Sequence, residues 1–187
     1  MSASKKITLH LGKNKVKFEI VKHKKVYTAY DLAQTLGTKL DNIAKTLLVH
    51  AEIPVLKKKE KRNYVIVVPA SYYVDLKKVK KALKAAKVQL APEKAMAKLG
   101  IKPGALSPFG SLRGFGVVVD KGLIKVKDAI IGAESFTESL RMKMKDLVAV
   151  ESPTVATIGK RNKMKLQVKV KKAKGKKTKG KKAKGKK

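Results

Sequence analysis

The chain has 187 residues and a formal net charge of +34, because 47 lysines and arginines stand against only 13 acidic residues. This length allows one hydrophobic core, and so large a positive charge indicates a polyanionic partner, above all nucleic acid. The sequence has no cysteine, which excludes disulfides, thiolate metal ligands and a cysteine nucleophile. It has no apolar run as long as a membrane span and no signal-peptide core among its first residues, so we expect a cytoplasmic protein without a membrane partner.

The first predicted element is a β-hairpin over residues 6–21. Apolar and polar residues alternate over residues 7–11 and again over residues 16–20, and a period of two is typical of strands. Gly-Lys-Asn at residues 12–14 would form the turn. We therefore expect the chain to begin with two paired strands.

A short helix is predicted next, between Thr28 and Gly37. Thr28 is a favourable N-cap with Asp31 near the capping-box position, and glycine readily takes the left-handed conformation that ends many helices. After a second short helix, residues 46–49 are predicted to be extended. Lys45 lies at that junction among apolar neighbours, where a lysine can simply complement a helix dipole.

The centre of the chain is predicted to alternate between buried strands and short helices. The charged run at residues 57–62 is predicted to be a hairpin loop. Because the elements interleave without a strict βαβ rhythm, we expect an α+β fold, a single domain with a mixed, bent and barrel-like sheet and surrounding helices. Strands are expected at residues 64–68, 88–90, 117–120, 129–132 and 139–142, helices at residues 75–83 and 92–99, and a last turn at residues 146–148.

Three parts are predicted along the chain. Residues 1–152 would form the folded domain, and residues 153–170 an extra edge strand or linker with Leu166, Val168 and Val170 alternating. Residues 171–187 hold eleven lysines and no acid, and without them residues 1–170 still carry +23. We expect this tail to be disordered and to bind nucleic acid without sequence preference, although a general lysine excess would explain part of the charge. The lysines that begin the tail are Lys171, Lys172, Lys174, Lys176 and Lys177.

Conventional catalytic motifs are missing from the sequence. His10, His23 and His50 have no metal-ligand spacing, and no G-x-S-x-G, Walker or G-x-G-x-x-G motif occurs. We therefore predict no metal and no cofactor. An enzyme built from this chain would not use a conventional side-chain nucleophile.

Residues 100–110, Gly-Ile-Lys-Pro-Gly-Ala-Leu-Ser-Pro-Phe-Gly, contain three glycines and two prolines. Glycines let backbone N–H groups approach a ligand closely, and fixed N–H donors can bind a phosphate or an oxygen that gains negative charge. A purely structural crossover explains the composition slightly better. Composition alone thus leaves a binding loop and a structural loop both open.

Six short segments of the chain occur together in the order and at the spacing found in one protein family. They are residues 21–28 (VKHKKVYT), 43–49 (IAKTLLV), 75–78 (DLKK), the loop 100–110, 119–120 (VD) and 131–133 (IGA). Together they resemble the YbaK/ProX-like family of aminoacyl-tRNA deacylases, the editing domain associated with prolyl-tRNA synthetase. The resemblance covers roughly residues 18–150.

The resemblance implies a hydrolase that acts in trans on mischarged tRNA, with tRNA for proline carrying alanine or cysteine as the expected substrate. It implies that Lys45 and Gly132 are the catalytic positions, and that a ribose hydroxyl or the substrate's own side chain assists the attack. Prolyl-tRNA synthetase or an elongation factor is a further expected partner. The substrate-binding residues that it implies are His23, Thr46, Gly100, Pro103, Gly104, Ser107, Pro108, Phe109 and Gly110.

Two features depart from the family pattern. The predicted N-terminal hairpin stands where relatives begin with a helix, and Glu134 stands where many carry glycine, which would put an acid near the site. A non-catalytic tRNA- or RNA-binding module with the same fold is therefore the alternative, and a regulatory domain that senses uncharged tRNA is a weaker one. Lys45→Ala separates the first two hypotheses, because only a deacylase should lose turnover.

Overall fold

The computed structural model describes residues 3–56 and 58–162. Two 3-10 turns, Leu40–Asn42 and Gly110–Arg113, accompany the regular elements. The helices are α1 (Lys5–Lys13), α2 (Ala29–Leu36), α3 (Leu76–Ala82), α4 (Glu93–Lys98), α5 (Lys121–Ile124) and α6 (Met144–Glu151). The strands are β1 (Phe18–Lys22), β2 (Ala44–Val55), β3 (Lys58–Pro69), β4 (Tyr72–Val74), β5 (Lys87–Leu90), β6 (Gly116–Asp120), β7 (Asp128–Gly132), β8 (Glu138–Lys143), β9 (Thr154–Ala156) and β10 (Gly159–Arg161).

The strands form a mixed arrangement of three sheets. The largest has the order β5-β2-β3-β6-β9, in which β2 is antiparallel to β5 and β3 while β3, β6 and β9 run parallel. An antiparallel sheet, β1-β8-β7, is joined to it by a bridge between Ile43 and Ile130, and β10 pairs with β4. The predicted α+β class with a mixed sheet is confirmed, although the described strands do not close into a barrel.

The core lies on both faces of β3. Val65 and Val67 pack into the main cluster with Phe109, while Ile66 and Val68 face a second cluster around Val79. All four β3 side chains are fully buried. A strand covered on both faces is apolar without alternation, as the predicted strand at residues 64–68 is.

The N-terminal hairpin prediction for residues 6–21 is wrong, because α1 is a helix. Ile7 and Leu11 are fully buried, whereas Leu9 between them is 64% exposed. Residues four positions apart lie on one face of a helix and also on one face of a strand, so the spacing of Ile7 and Leu11 fits both structures. The exposure of Leu9 distinguishes the helix from the strand, because in a strand Leu9 would share their buried face. The second half of the prediction does form β1, but β1 pairs with β8 and not with the preceding segment.

The charged loop predicted at residues 57–62 is also wrong, because β3 begins at Lys58. The β2–β3 ladder continues to the pair Val55–Lys58, and residues 58–62 are exposed. Charged side chains are tolerated in a strand whose faces meet water, and Arg62 pairs there with Glu60 at 2.7 Å. Similarly, the last turn predicted at residues 146–148 is the middle of α6.

The C-terminal segment adds two short strands to different sheets. β9 extends the large sheet beside β6, and β10 pairs with β4. Leu166, Val168, Val170 and the tail lysines lie outside the described residues. Among the helices of the described part, none has the length and apolarity needed to cross a bilayer.

Candidate active site

A cleft of about 260 Å³ opens where the start of β2 meets the antiparallel sheet and the glycine–proline loop. Five of the predicted site residues line it, although they are far apart in the sequence. These residues are His23, Lys45, Thr46, Gly104 and Gly132. Apolar side chains from residues 26–47 form much of the remaining wall.

The N-terminus of α2 borders this cleft and is fixed as the sequence predicts. The Thr28 hydroxyl accepts a hydrogen bond from the Asp31 backbone N–H at 3.1 Å, and Gly37 ends the helix at φ 61°. Thr28 itself lines the cleft. The cap therefore holds one wall in place independently of any ligand.

Lys45 lies at the start of β2 with its side chain half-buried. Its Nζ donates a hydrogen bond to the Tyr72 carbonyl oxygen and lies 5.7 Å from the centroid of the Tyr73 ring. Burial lowers the pKa of Lys45 from its usual value of 10.5, because desolvation disfavours the charged form. A lysine held in this way offers a positioned charge at the cleft wall.

Thr46 supplies a second polar group next to Lys45. Its Oγ1 is buried and has no hydrogen-bond partner among the described residues. A buried hydroxyl without a partner costs free energy, and Thr46 carries this cost at a position that lines the cleft.

Two glycines explain how the loop 100–110 closes one side of the cleft. A Cβ on Gly104, which has φ +80°, would lie 2.5 Å from the Tyr27 carbonyl oxygen. A Cβ on Gly132 would lie 2.9 Å from the Leu106 carbonyl oxygen. Any side chain at either position would push the loop away, so the glycines set the shape of the wall.

The remaining predicted loop residues do not line the cleft in the described structure. Ser107, Pro108, Phe109 and Gly110 are buried behind the wall, and Phe109 belongs to the main core. Gly100 and Pro103 are exposed, with Gly100 in a separate cavity. A substrate-binding role for these six residues stays a prediction; their observed positions support the wall from behind or lie beside it.

A His–Ser pair in the cleft was not predicted. His23 Nε2 lies 2.9 Å from Ser139 Oγ, and His23 Nδ1 lies 2.8 Å from the Lys24 carbonyl oxygen. A carbonyl only accepts, so Nδ1 carries the hydrogen and neutral His23 accepts the Ser139 proton at Nε2. Ser139 faces Gly132 across the β7–β8 ladder. No sequence signal indicated this pair, because the two residues are separated by 116 positions.

The expected acid near the site lies outside the cleft. Glu134 has φ 57°, and its carboxylate accepts a hydrogen bond from Arg113 Nη2 at 2.7 Å. Arg113 also donates to the Leu99 carbonyl oxygen at 3.0 Å. The left-handed backbone explains why glycine suits this position. The ion pair with Arg113 balances the charge of Glu134, and both residues lie outside the cleft.

The chain is similar to known editing proteins. The family model for the aminoacyl-tRNA editing domain matches residues 23–150. The prolyl-tRNA editing protein ProX of Acetoanaerobium sticklandii is 27% identical over 129 residues, which are 66% of this chain and 75% of that protein.

Solved structures share the fold at low identity. The hypothetical protein APE2540 superposes with a TM-score of 0.73 at 21% identity, over 83% of this chain and 100% of that chain. A candidate trans-editing enzyme for prolyl tRNA synthetase gives a TM-score of 0.67 at 19% identity, over 82% and 94%. Every residue of the cleft lies within the matched range, whereas β9 and β10 lie beyond it.

Proposed function

The chain belongs to the aminoacyl-tRNA editing domain family, and we propose that it is a trans-editing deacylase whose cleft around Lys45 hydrolyses the ester of mischarged tRNA. The observation that carries this proposal is the convergence of Lys45, Thr46, Gly104 and Gly132 in one cleft. The proposed substrate is tRNA for proline carrying alanine or cysteine. The likeness to ProX, a prolyl-tRNA editing protein, supports tRNA for proline as the nucleic-acid part of that choice.

Lys45 would bind the 3′-terminal phosphate or the ester region as a point charge. Its amine is already held by the Tyr72 carbonyl, so little side-chain freedom is lost when substrate binds. Thr46, the next residue of β2, also lines the cleft. Lys45 would position the ester.

The loop 100–110 and Gly132 would stabilise the charge that develops on the ester oxygen. When water attacks the carbonyl carbon, an electron pair moves onto that oxygen, and backbone N–H groups can bind it. One such donor is typically worth about 3 kcal/mol of transition-state stabilisation. The absence of a Cβ at Gly104 and Gly132 allows the backbone to approach this closely.

His23 and Ser139 would accept the proton that the attacking water loses. Ser139 Oγ takes the water proton while passing its own to His23 Nε2, and the tetrahedral intermediate then expels the ribose 3′-oxygen. That oxygen takes the proton back. A neighbouring ribose hydroxyl can assist the attack, as the family resemblance implies. The pair's hydrogen bond of 2.9 Å supports this role.

The wall of the cleft favours an uncharged aminoacyl group. The volume of the cleft is about 260 Å³, and Val26, Leu32 and Ile43 provide apolar contacts. Selection by such a wall is modest, since one methylene is worth about 1–3 kcal/mol. Alanine and cysteine suit this apolar wall better than charged side chains do.

Binding of tRNA would rest largely on the basic surface. Residues 1–170 alone carry +23, so we expect affinity to fall by orders of magnitude between about 50 and 200 mM salt. A flat salt dependence would contradict this view. The protein would act in the cytoplasm, with prolyl-tRNA synthetase or an elongation factor as further partners.

Hydrolysis of a panel of aminoacyl-tRNAs tests the proposal. Alanyl-, cysteinyl-, seryl- and prolyl-tRNA for proline are incubated with wild type and with Lys45→Ala; Lys87→Ala serves as control because Lys87 is exposed on β5 outside the cleft. We expect rapid deacylation of one mischarged species, lost only in Lys45→Ala. No turnover by wild type on any species would overturn the proposal.

The net charge of +34 favours one alternative, a non-catalytic RNA-binding module that retains the fold. Such a module would bind tRNA tightly in wild type and in Lys45→Ala alike. It would hydrolyse none of the four species. The same panel, with a filter-binding measurement beside it, separates the two functions.

A further inference from the structure

The hairpin of β2 and β3 extends beyond the sheet to which it belongs. β5 pairs with β2 only as far as Glu52, and β6 pairs with β3 only from Tyr64 onwards. The β2–β3 ladder continues past both points. Residues 53–55 and 58–62, which we call the basic ribbon, therefore form two paired strands that project past one or both of their neighbours.

The basic ribbon carries an excess of positive charge that meets water. One acid stands against four basic residues, and all five are exposed: Glu60, Lys58, Lys59, Lys61 and Arg62. Glu60 forms an ion pair with Arg62 at 2.7 Å. Within the part of the chain that the structure describes, the three lysines form no ion pair. The ribbon thus presents three positive charges that no ion pair neutralises.

The lysines of the ribbon are spaced by the strand itself. Lys59 and Lys61 lie on one face, because residues two positions apart in a strand point the same way, and they are about 7 Å apart along β3. This repeat is close to the spacing of successive phosphates along a nucleic-acid strand. Lys58 lies on the opposite face, so the ribbon presents cations on both faces.

A groove continues the basic surface at the base of the ribbon. It has a volume of about 490 Å³, and Lys61, Arg62, Tyr64 and residues 114–116 line it. A Cβ on Gly116 would lie 2.3 Å from the Tyr64 ring, so the glycine allows this ring to lie against the backbone. The groove therefore combines cations with a tyrosine, and such side chains contact phosphate and sugar in nucleic-acid complexes.

The ribbon and the cleft are joined by the same two strands. Lys45, which lines the cleft, is opposite Val68 in the β2–β3 ladder. At about 3.3 Å per residue, Lys61 lies roughly 23 Å from Val68 along β3, and Lys58 lies roughly 33 Å from it. In an aminoacyl-tRNA the ester is at the end of a short unpaired strand, and the double-helical stem begins beyond that strand. A tRNA with its ester at Lys45 can therefore present its stem to the ribbon.

We propose that the basic ribbon binds the phosphates of the double-helical acceptor stem of tRNA. Helical RNA has a wide and shallow minor groove, over which a two-stranded ribbon can lie. The lysines on its faces would contact the phosphates on either side and would not read the sequence. The inference rests on the proposed function and deepens it, since it assigns the surface that holds the helical part of the same substrate.

Charge reversal in the ribbon, Lys59→Glu with Lys61→Glu in the full chain, tests the assignment without any need for turnover. Filter binding over a salt titration compares a minihelix RNA, which is the acceptor stem closed by a loop, with a single strand of the same 3′ sequence. We expect the variant to bind the minihelix about tenfold more weakly at about 100 mM salt, with a salt slope lower by about two. Its affinity for the single strand should equal that of the control variant.

The control variant is Lys13→Glu with Lys17→Glu, which changes the same charge at exposed positions outside the ribbon, the groove and the cleft. It should keep the wild-type salt slope for the minihelix. Lys59→Arg with Lys61→Arg should bind the minihelix as wild type does, because both charges remain. All three variants should give the wild-type circular dichroism spectrum, since the substituted side chains are exposed.

Equal weakening of minihelix binding in the ribbon variant and the control variant would overturn the assignment. For the mischarged tRNA, the ribbon variant should lower kcat/KM about tenfold and leave kcat unchanged. Loss of minihelix binding in the variant, with no deacylation by wild type, would leave the ribbon surface and remove the proposed function. Deacylation by wild type, with an unchanged kcat/KM in the ribbon variant, would do the reverse.

Discussion

Two cavities meet at Lys45, and the chain builds them differently. The cleft is made from residues within the range 23–150 that the family model matches, and its shape depends on Gly104 and Gly132. The second cavity, of about 210 Å³, lies on the other side of Lys45 and takes part of its wall from Asn162, beyond that range. The cleft therefore depends on glycines that allow a close backbone approach, whereas the second cavity depends on the pairing of β10 with β4.

If the cleft performs the chemistry, His23→Ala should have the largest effect on kcat. Loss of a group that accepts and returns a proton typically costs about 100-fold or more. Rapid-quench hydrolysis measures kcat. His50→Ala is the matched control, since the His50 side chain is hydrogen-bonded to Asn63 outside both cavities. An unchanged kcat in His23→Ala would mean that the histidine is only structural.

Gly132→Ala tests the shape of the same cleft. The added Cβ would meet the Leu106 carbonyl oxygen at 2.9 Å, so the loop must shift. A displacement of about 1 Å in an active site can cost about 100-fold in rate. We expect such a loss of kcat with a folded protein by circular dichroism. Full activity would show that the loop does not set the geometry of the reaction.

Asp120→Asn probes the other region. Hydrogen bonds to a charged group are worth about 1.5–3 kcal/mol, and Asp120 accepts three, so we expect a loss of about 2–3 kcal/mol in the free energy of unfolding by urea. Asp75→Asn, at an exposed helix cap, should cost about 1 kcal/mol at most. An unchanged free energy of unfolding in Asp120→Asn would show that this carboxylate does not anchor the C-terminal segment.

Lys45→Met addresses the boundary between the regions. Because burial lowers the pKa of Lys45 below 10.5, the unfolded chain binds more protons between the folded-state pKa and 10.5. Wild-type stability should therefore rise with pH in that interval. Below it, the desolvation cost is fully present, so Lys45→Met should be the more stable protein at about pH 7, with the difference shrinking by about pH 10. Urea unfolding at both pH values measures this; a wild type more stable than the variant at neutral pH would contradict it.

Glu134→Gly should have the smallest effect. The substitution removes the ion pair with Arg113 and relieves a left-handed backbone at φ 57°, and these changes oppose each other. Because Glu134 does not line the described cleft, kcat should stay within about twofold of wild type. A large change in kcat would mean that this acid does act on the substrate. The kcat of Glu134→Gly can be compared directly with that of Gly132→Ala, whose substitution lies two residues away but in the wall of the cleft.

Local signals in the sequence predict much of the scaffold and part of the site. Thr28 and Gly37 mark the ends of α2 by their capping chemistry. Gly104 and Gly132 are needed because a side chain at either position would collide with the backbone. These features are predictable because each depends on a residue's own conformational limits.

Features that need the whole fold could not be predicted. His23 and Ser139 meet only after β1 and β8 pair, and Asn162 reaches the second cavity after β10 pairs with β4. The N-terminal helix was missed for a different reason. The spacing of Ile7 and Leu11 fits a strand or a helix, and the packing against the core decides between them.

The central claim is that Lys45 belongs to the reaction, and single-turnover hydrolysis of alanyl-tRNA for proline at saturating enzyme tests it most directly. Saturation removes differences in tRNA affinity, so the rate constant reports the chemical step alone. We predict a rate constant at least about 100-fold lower in Lys45→Ala than in wild type and Lys87→Ala. Equal rate constants in all three proteins would contradict the account.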